Sequence, residues 1–120
     1  MLQRVVTAMA FSLLLAFAGT AAADNYPREI AAEVALYPGA QVMQQTSDKD
    51  GVQVVLSAPG TVEKAMAYYK QQMEKKGWKQ ENFQQMGPAQ ATGFVKGKRH
   101  AAITVMQVPG QLTVTIGIDR

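Results

Sequence analysis

GTVEKAMAYYKQQMEKKGW, Gly60–Trp78, carries a complete helix between its own start and stop signals. Thr61 is the predicted N-cap, because its hydroxyl can accept from a backbone N–H that the first turn leaves unpaired. Glu63 sits against the positive end of the helix. Val62, Met66, Tyr69 and Met73 step by four, three and four, and Ala65 joins them in one apolar stripe. Lys75 and Lys76 occupy the last turn, where cations suit the dipole, and Gly77 is the expected left-handed stop. The spacing predicts a helix over 62–76, about 22 Å long.

Past Gly77 the apolar period changes from helical to two. WKQENFQQM (Trp78–Met86) puts Trp78 and Phe83 in a strand with polar neighbours. QATGFVKG (Gln90–Gly97) and RHAAITVMQV (Arg99–Val108) flank a tight Gly97-Lys98 turn, and Pro109-Gly110 makes the next. The last strand alternates most cleanly, with Leu112, Val114, Ile116 and Ile118 set against Thr113, Thr115 and Gly117. Upstream, QVMQQTSDKDGVQVVLSA (Gln41–Ala58) reads as a hairpin turned at Asp48–Gly51, with Gly51 available for positive φ. Val52, Val54 and Leu56 face inward there, opposite Val42. Further upstream, Pro27–Leu36 reads as a short amphipathic helix, begun by Pro27 and stopped by Pro38-Gly39.

The element order is α, ββ, α, ββββ. Seven-residue strands span about 23 Å, so one helix of about 22 Å covers such a sheet along its length, on one face only. The expected fold is α+β, a two-layer sandwich. It has one antiparallel sheet of about six strands, with the main helix and the short N-terminal helix on one face.

The N-terminus MLQRVVTAMAFSLLLAFAGTAAA has a basic residue, Arg4, then an uncharged and mostly apolar run from Val5 to Ala18, then small residues ending Ala21-Ala22-Ala23. That is the order of a secretory signal peptide. The run of 14 residues makes about 21 Å of helix against a hydrocarbon core of about 30 Å, too short to span comfortably. Residues 1–23 are therefore expected to be cleaved, and residues 24–120 to form a single α+β domain that is periplasmic or secreted. The chain has no cysteine to carry a lipid anchor, so no stable membrane insertion is expected after cleavage. The 97 residues left are enough for one core without disulfides. Loss of Arg4 turns 12 basic and 9 acidic residues into 11 and 9, a mature balance of +2, which gives little long-range attraction for polyanions.

Chemistry-bearing residues are few. His100 is the single histidine, which excludes a zinc site built of several histidines, and the absence of cysteine excludes a Cys–His nucleophile. Ser47 and Ser57 lack a G-x-S-x-G setting. Asp48 and Asp50 share a turn, but the other oxygen ligands of a calcium loop do not follow. No glycine-rich phosphate loop is present. No catalytic, metal-binding or cofactor-binding residue is expected, and no cofactor. The densest basic cluster is KGKRH, where Lys96, Lys98 and Arg99 form the candidate anion-binding site, with Lys75, Lys76 and Lys79 as additional cations. The turn holds no acidic residue. No aromatics interleave there to stack bases, so nucleic acid is not expected. Among the aromatics, Tyr69 belongs to the buried stripe and Tyr68 to its flank, with its hydroxyl wet. Trp78 is expected to fold back on the last helical turn.

YPGA (Tyr37–Ala40), a hairpin, the YYK-bearing helix closed by Gly77-Trp78, and a meander with a VKGKR turn together resemble a recurrent small domain of exported bacterial proteins and lipoproteins, a largely uncharacterised family. The resemblance runs from Tyr37 to Ile118. It implies a non-enzymatic exported module and supplies no catalytic residues. Two functions are expected, in order. The first is an interaction or structural module of the bacterial envelope, acting on an envelope protein through the sheet face or edge. The second is a binder of anionic envelope components, such as lipopolysaccharide, anionic lipid or polymer, through the basic turn.

Overall fold

The computed structural model describes residues 25–119; the predicted signal peptide lies outside them. In chain order the elements are α1 (Arg28–Ala31), β1 (Gln41–Ser47), β2 (Gly51–Ala58), α2 (Val62–Lys75), β3 (Lys79–Met86), β4 (Ala89–Lys96), β5 (Arg99–Val108) and β6 (Gln111–Asp119). Six strands form one sheet in the order β1-β2-β6-β5-β4-β3, and every neighbouring pair is antiparallel. The α+β fold expected from the period change is the fold observed.

The caps of α2 form as their residues dictate. The Thr61 hydroxyl accepts from the Lys64 N–H at 3.2 Å. At the other end Gly77 takes φ 91°. That lets the Trp78 N–H reach the Met73 carbonyl at 3.0 Å and the Gly77 N–H reach Glu74 at 3.1 Å, the paired bonds of a glycine stop. Val62, Ala65, Met66, Tyr69 and Met73 are the buried residues of the helix, so the stripe is the packing face. It meets one face of the sheet, built from register rows such as Thr92–Ile103–Ile116–Val54. Leu56, Ile103, Leu112, Val114 and Ile116 there are fully buried; each contributes about 1.5–3 kcal/mol on transfer from water.

Two local readings are corrected. The N-terminal helix is one turn, Arg28–Ala31, rather than Pro27–Leu36. Pro38 has no N–H to offer the Val34 carbonyl, and the Tyr26 hydroxyl bonds that carbonyl instead at 2.9 Å. Gly51 is not among the positive-φ glycines. Its lack of a side chain serves close packing, since a Cβ there would lie 2.5 Å from the Ile118 carbonyl oxygen. Phe83 lies in β3 among polar neighbours, as expected; it pairs with buried Thr92 and so shares the core side, yet it is 51% exposed, because β3 is an edge strand. The register shift between Gln80 and Asn82 is answered by Thr92, whose hydroxyl donates to the Asn82 carbonyl at 2.6 Å and accepts from Gln80 at 2.8 Å.

Candidate functional site

The basic turn does not stand free. Lys96 Nζ donates to Glu33 Oε1 at 2.9 Å and to the Lys76 carbonyl at 3.0 Å. Arg99 reaches the other Glu33 oxygen at 3.5 Å, and the Trp78 indole N–H donates to Glu33 at 2.8 Å. Both cations lie over the Trp78 ring, 5.2 and 5.3 Å from its centroid, within cation–π range. Burial by itself pushes the Glu33 pKa up. Hydrogen bonds from Lys96 and Trp78, with the charges of Lys96 and Arg99, outweigh it and hold the carboxyl below its ordinary range. Only Lys98, at the apex, is left to project from the turn among Lys96, Lys98 and Arg99. Sequence reasoning missed Glu33. The signal was available: a tryptophan beside a helix cap needs a partner for its N–H when buried, and Glu33 is the lone acid in AAEVAL.

The other polar candidates are occupied as structure. Asp48 accepts from the amides of Asp50 and Gly51 at 2.8 and 3.1 Å, which closes the hairpin turn. Asp119 accepts from the His100 amide at 2.8 Å and lies 3.4 Å from its Nδ1. Ser57 pairs with Thr113, six residues along β6 from Asp119, or about 20 Å, so it cannot serve His100. Its hydroxyl donates to Gln111 at 2.7 Å. Among the described residues no cluster of three or more His, Asp or Glu side chains is placed to hold a metal ion. No helix among them is long and apolar enough to cross a membrane.

Two surfaces remain. The first is the sheet face turned away from the helices. The row Gly93–Ala102–Gly117 crosses β4, β5 and β6 and floors a hollow of about 430 Å³ whose rim includes Glu81, Asn82, His100 and Thr104. Gly93 has a structural reason to be glycine, because the Asn82 side chain lies 3.1–3.4 Å from where its Cβ would be and accepts its N–H at 2.9 Å. Gly117 has none of these reasons: a Cβ there would meet nothing within 4 Å, and its φ is not positive. On the same face the row Met86–Ala89–Met106 exposes both methionines.

The second surface is aromatic. Tyr37 packs edge-on against Tyr68 at 4.9 Å and 88° and stacks on Tyr69 at 5.8 Å and 30°. YPGA and YYK, far apart in sequence, therefore meet. Tyr69 is fully buried, as expected. The Tyr68 hydroxyl donates to the Ala35 carbonyl at 3.2 Å. Tyr37 and Tyr68, with Pro38, Pro59, Gly60 and Lys64, line a depression of about 380 Å³.

A family model described as START domain-like matches residues 40–118. The match takes in more than half of the chain, and the chain belongs to this family. No curated protein and no solved structure matches it. The matched span holds α2 and the sheet up to Ile118. It leaves out the N-terminal segment that supplies Glu33, Tyr37 and Pro38.

Proposed function

We propose, from the signal-peptide pattern of residues 1–23 and the resemblance of Tyr37–Ile118 to exported bacterial domains, that the chain is an exported, non-enzymatic interaction module of the bacterial envelope, periplasmic or secreted after loss of residues 1–23. It engages a protein partner through the sheet face that its helices leave open. Gly117 carries this reading. A glycine inside a central strand weakens that strand and often marks a place where another backbone or a ligand approaches closely. Gly117 answers to no internal contact and no unusual φ, so the approach it permits comes from outside. The exposed Met86 and Met106 supply adaptable apolar contact on the same face. The basic-turn reading ranks second, since Glu33 already takes up Lys96 and Arg99.

The test is affinity capture from native envelope extracts with the mature protein, run beside a Gly117→Arg variant whose thermal midpoint has been checked. A partner held by the wild type and lost by the variant supports the reading. A partner held equally by both, or none at all, overturns it. N-terminal sequencing of the protein from the periplasmic fraction checks export, with Asp24 as the expected first residue.

A further inference from the structure

We propose that the Tyr37–Tyr68 depression binds an extended, proline-rich peptide segment that carries a carboxylate. It is separate from the open sheet face, so failure here leaves the reading of that face untouched.

The walls are preorganised. The rings of Tyr37 and Tyr68 stand perpendicular at 4.9 Å. Behind Tyr37 lies Tyr69, stacked at 5.8 Å and fully buried. Tyr68 is pinned by its hydroxyl to the Ala35 carbonyl at 3.2 Å. The base consists of two Pro-Gly turns locked against each other. Gly39 and Gly60 take φ 82° and 107°, and a Cβ on Gly39 would sit 3.0 Å from the Pro59 ring. A rigid aromatic corner of this kind binds without first having to be ordered.

The lining chemistry selects the ligand. Two tyrosine rings and two prolines make the surface apolar. The side-chain polar groups it offers can both donate: the Lys64 ammonium, which cannot accept, and the Tyr37 hydroxyl, which lies beside Gly60. No carboxylate lines it. A ligand that fits is apolar, rich in acceptors and poor in donors. Proline-rich chain has that balance, because proline keeps its carbonyl and lacks the N–H, and its extended left-handed helix docks on aromatic-lined grooves at low entropic cost. Charge complementarity with Lys64 places an Asp or Glu at the rim. A sugar is a poorer match, since its hydroxyls donate as often as they accept. The volume, about 380 Å³, lies at the small end for a ligand pocket and suits a few residues of peptide.

The experiment is an amide chemical-shift titration of the purified protein with a synthetic peptide of repeated Pro-Pro-Glu. Parallel titrations use the Pro-Pro-Gln peptide, an Ala-Ala-Glu peptide and a chito-oligosaccharide. The expected result is saturable shifts centred on Tyr37, Gly39, Gly60, Lys64 and Tyr68, at least fivefold weaker with Pro-Pro-Gln and lost with Ala-Ala-Glu. Lys64→Glu, a surface change that leaves the tyrosine corner intact, should weaken Pro-Pro-Glu at least fivefold and leave Pro-Pro-Gln unchanged. The proposal is overturned if Pro-Pro-Glu gives no saturable shifts at these residues, if Ala-Ala-Glu binds equally well, or if the oligosaccharide occupies the corner and the peptide does not.

Discussion

At the residue scale the sharpest question is Tyr69. Its ring is fully buried in the core, yet its hydroxyl is buried with no hydrogen-bond partner among the described residues. Burial pushes its pKa well above the ordinary tyrosine value, and the neighbouring tyrosines 26, 68 and 37 push the same way. An unpaired buried hydroxyl has lost its water without compensation. The ring and the hydroxyl should therefore separate under mutation. Tyr69→Ala removes a core aromatic and should cost about 3–5 kcal/mol. Tyr69→Phe removes only the unpaired group and should be neutral, or more stable by up to about 1 kcal/mol. Chemical denaturation measures both. A clear loss in the Phe variant would mean that the hydroxyl has a partner in solution. Tyr68→Ala should cost less than Tyr69→Ala, because Tyr68 sits on the flank and is only partly buried.

At the element scale, the β4–β5 hairpin is fastened to the end of α2 and to the segment after α1 through Glu33. The Lys96 ammonium closes this junction by bonding Glu33 and the Lys76 carbonyl at once, so it caps a helix end as well as pairing a charge. Lys96→Ala should lower stability by about 1.5–3 kcal/mol, the range for hydrogen bonds to charged groups. Lys98→Ala, from the same turn, should leave the thermal midpoint nearly unchanged. Equal effects would show that the two lysines are equivalent in solution. The pH dependence has a definite sign. The Glu33 pKa in the folded protein is lowered from 4.5, so its contribution is present above the ordinary glutamate value and is lost as pH falls through the lowered one. Glu33→Gln should flatten the acid side of the stability profile in that window. What the sequence disclosed at this scale follows from range. The caps and stripe of α2 lie within one segment and were legible. Glu33 stands 45 residues from Trp78, so nothing local announced the bond. The exposure of Phe83 was beyond local reading for a related reason: alternation assigns a face, whereas exposure depends on β3 being an edge, which only the strand order β1-β2-β6-β5-β4-β3 reveals.

At the scale of the whole molecule, one sheet presents two unlike faces, and the contrast is sharpest along β6. Leu112, Val114, Ile116 and Ile118 are buried beneath the helices, while Thr113, Thr115 and Gly117 face outward on the other side. A strand selected for stability alone would carry a β-branched residue at 117, since glycine there sacrifices both packing and backbone entropy. The site tolerates a side chain. Its φ is ordinary, and a Cβ meets nothing within 4 Å. Gly117→Ala should accordingly stabilise the fold by about 0.5–1 kcal/mol. In the same protein it should weaken capture of the partner, because the new methyl rises into the floor of the hollow. Gain of stability with loss of binding is the pattern expected where a strand has been kept weak for function. Urea denaturation and the envelope capture assay, run on one preparation, test both halves. If the variant is destabilised, glycine is required by the strand itself. If it is stabilised and captures the partner as well as the wild type, the open face is not the contact surface.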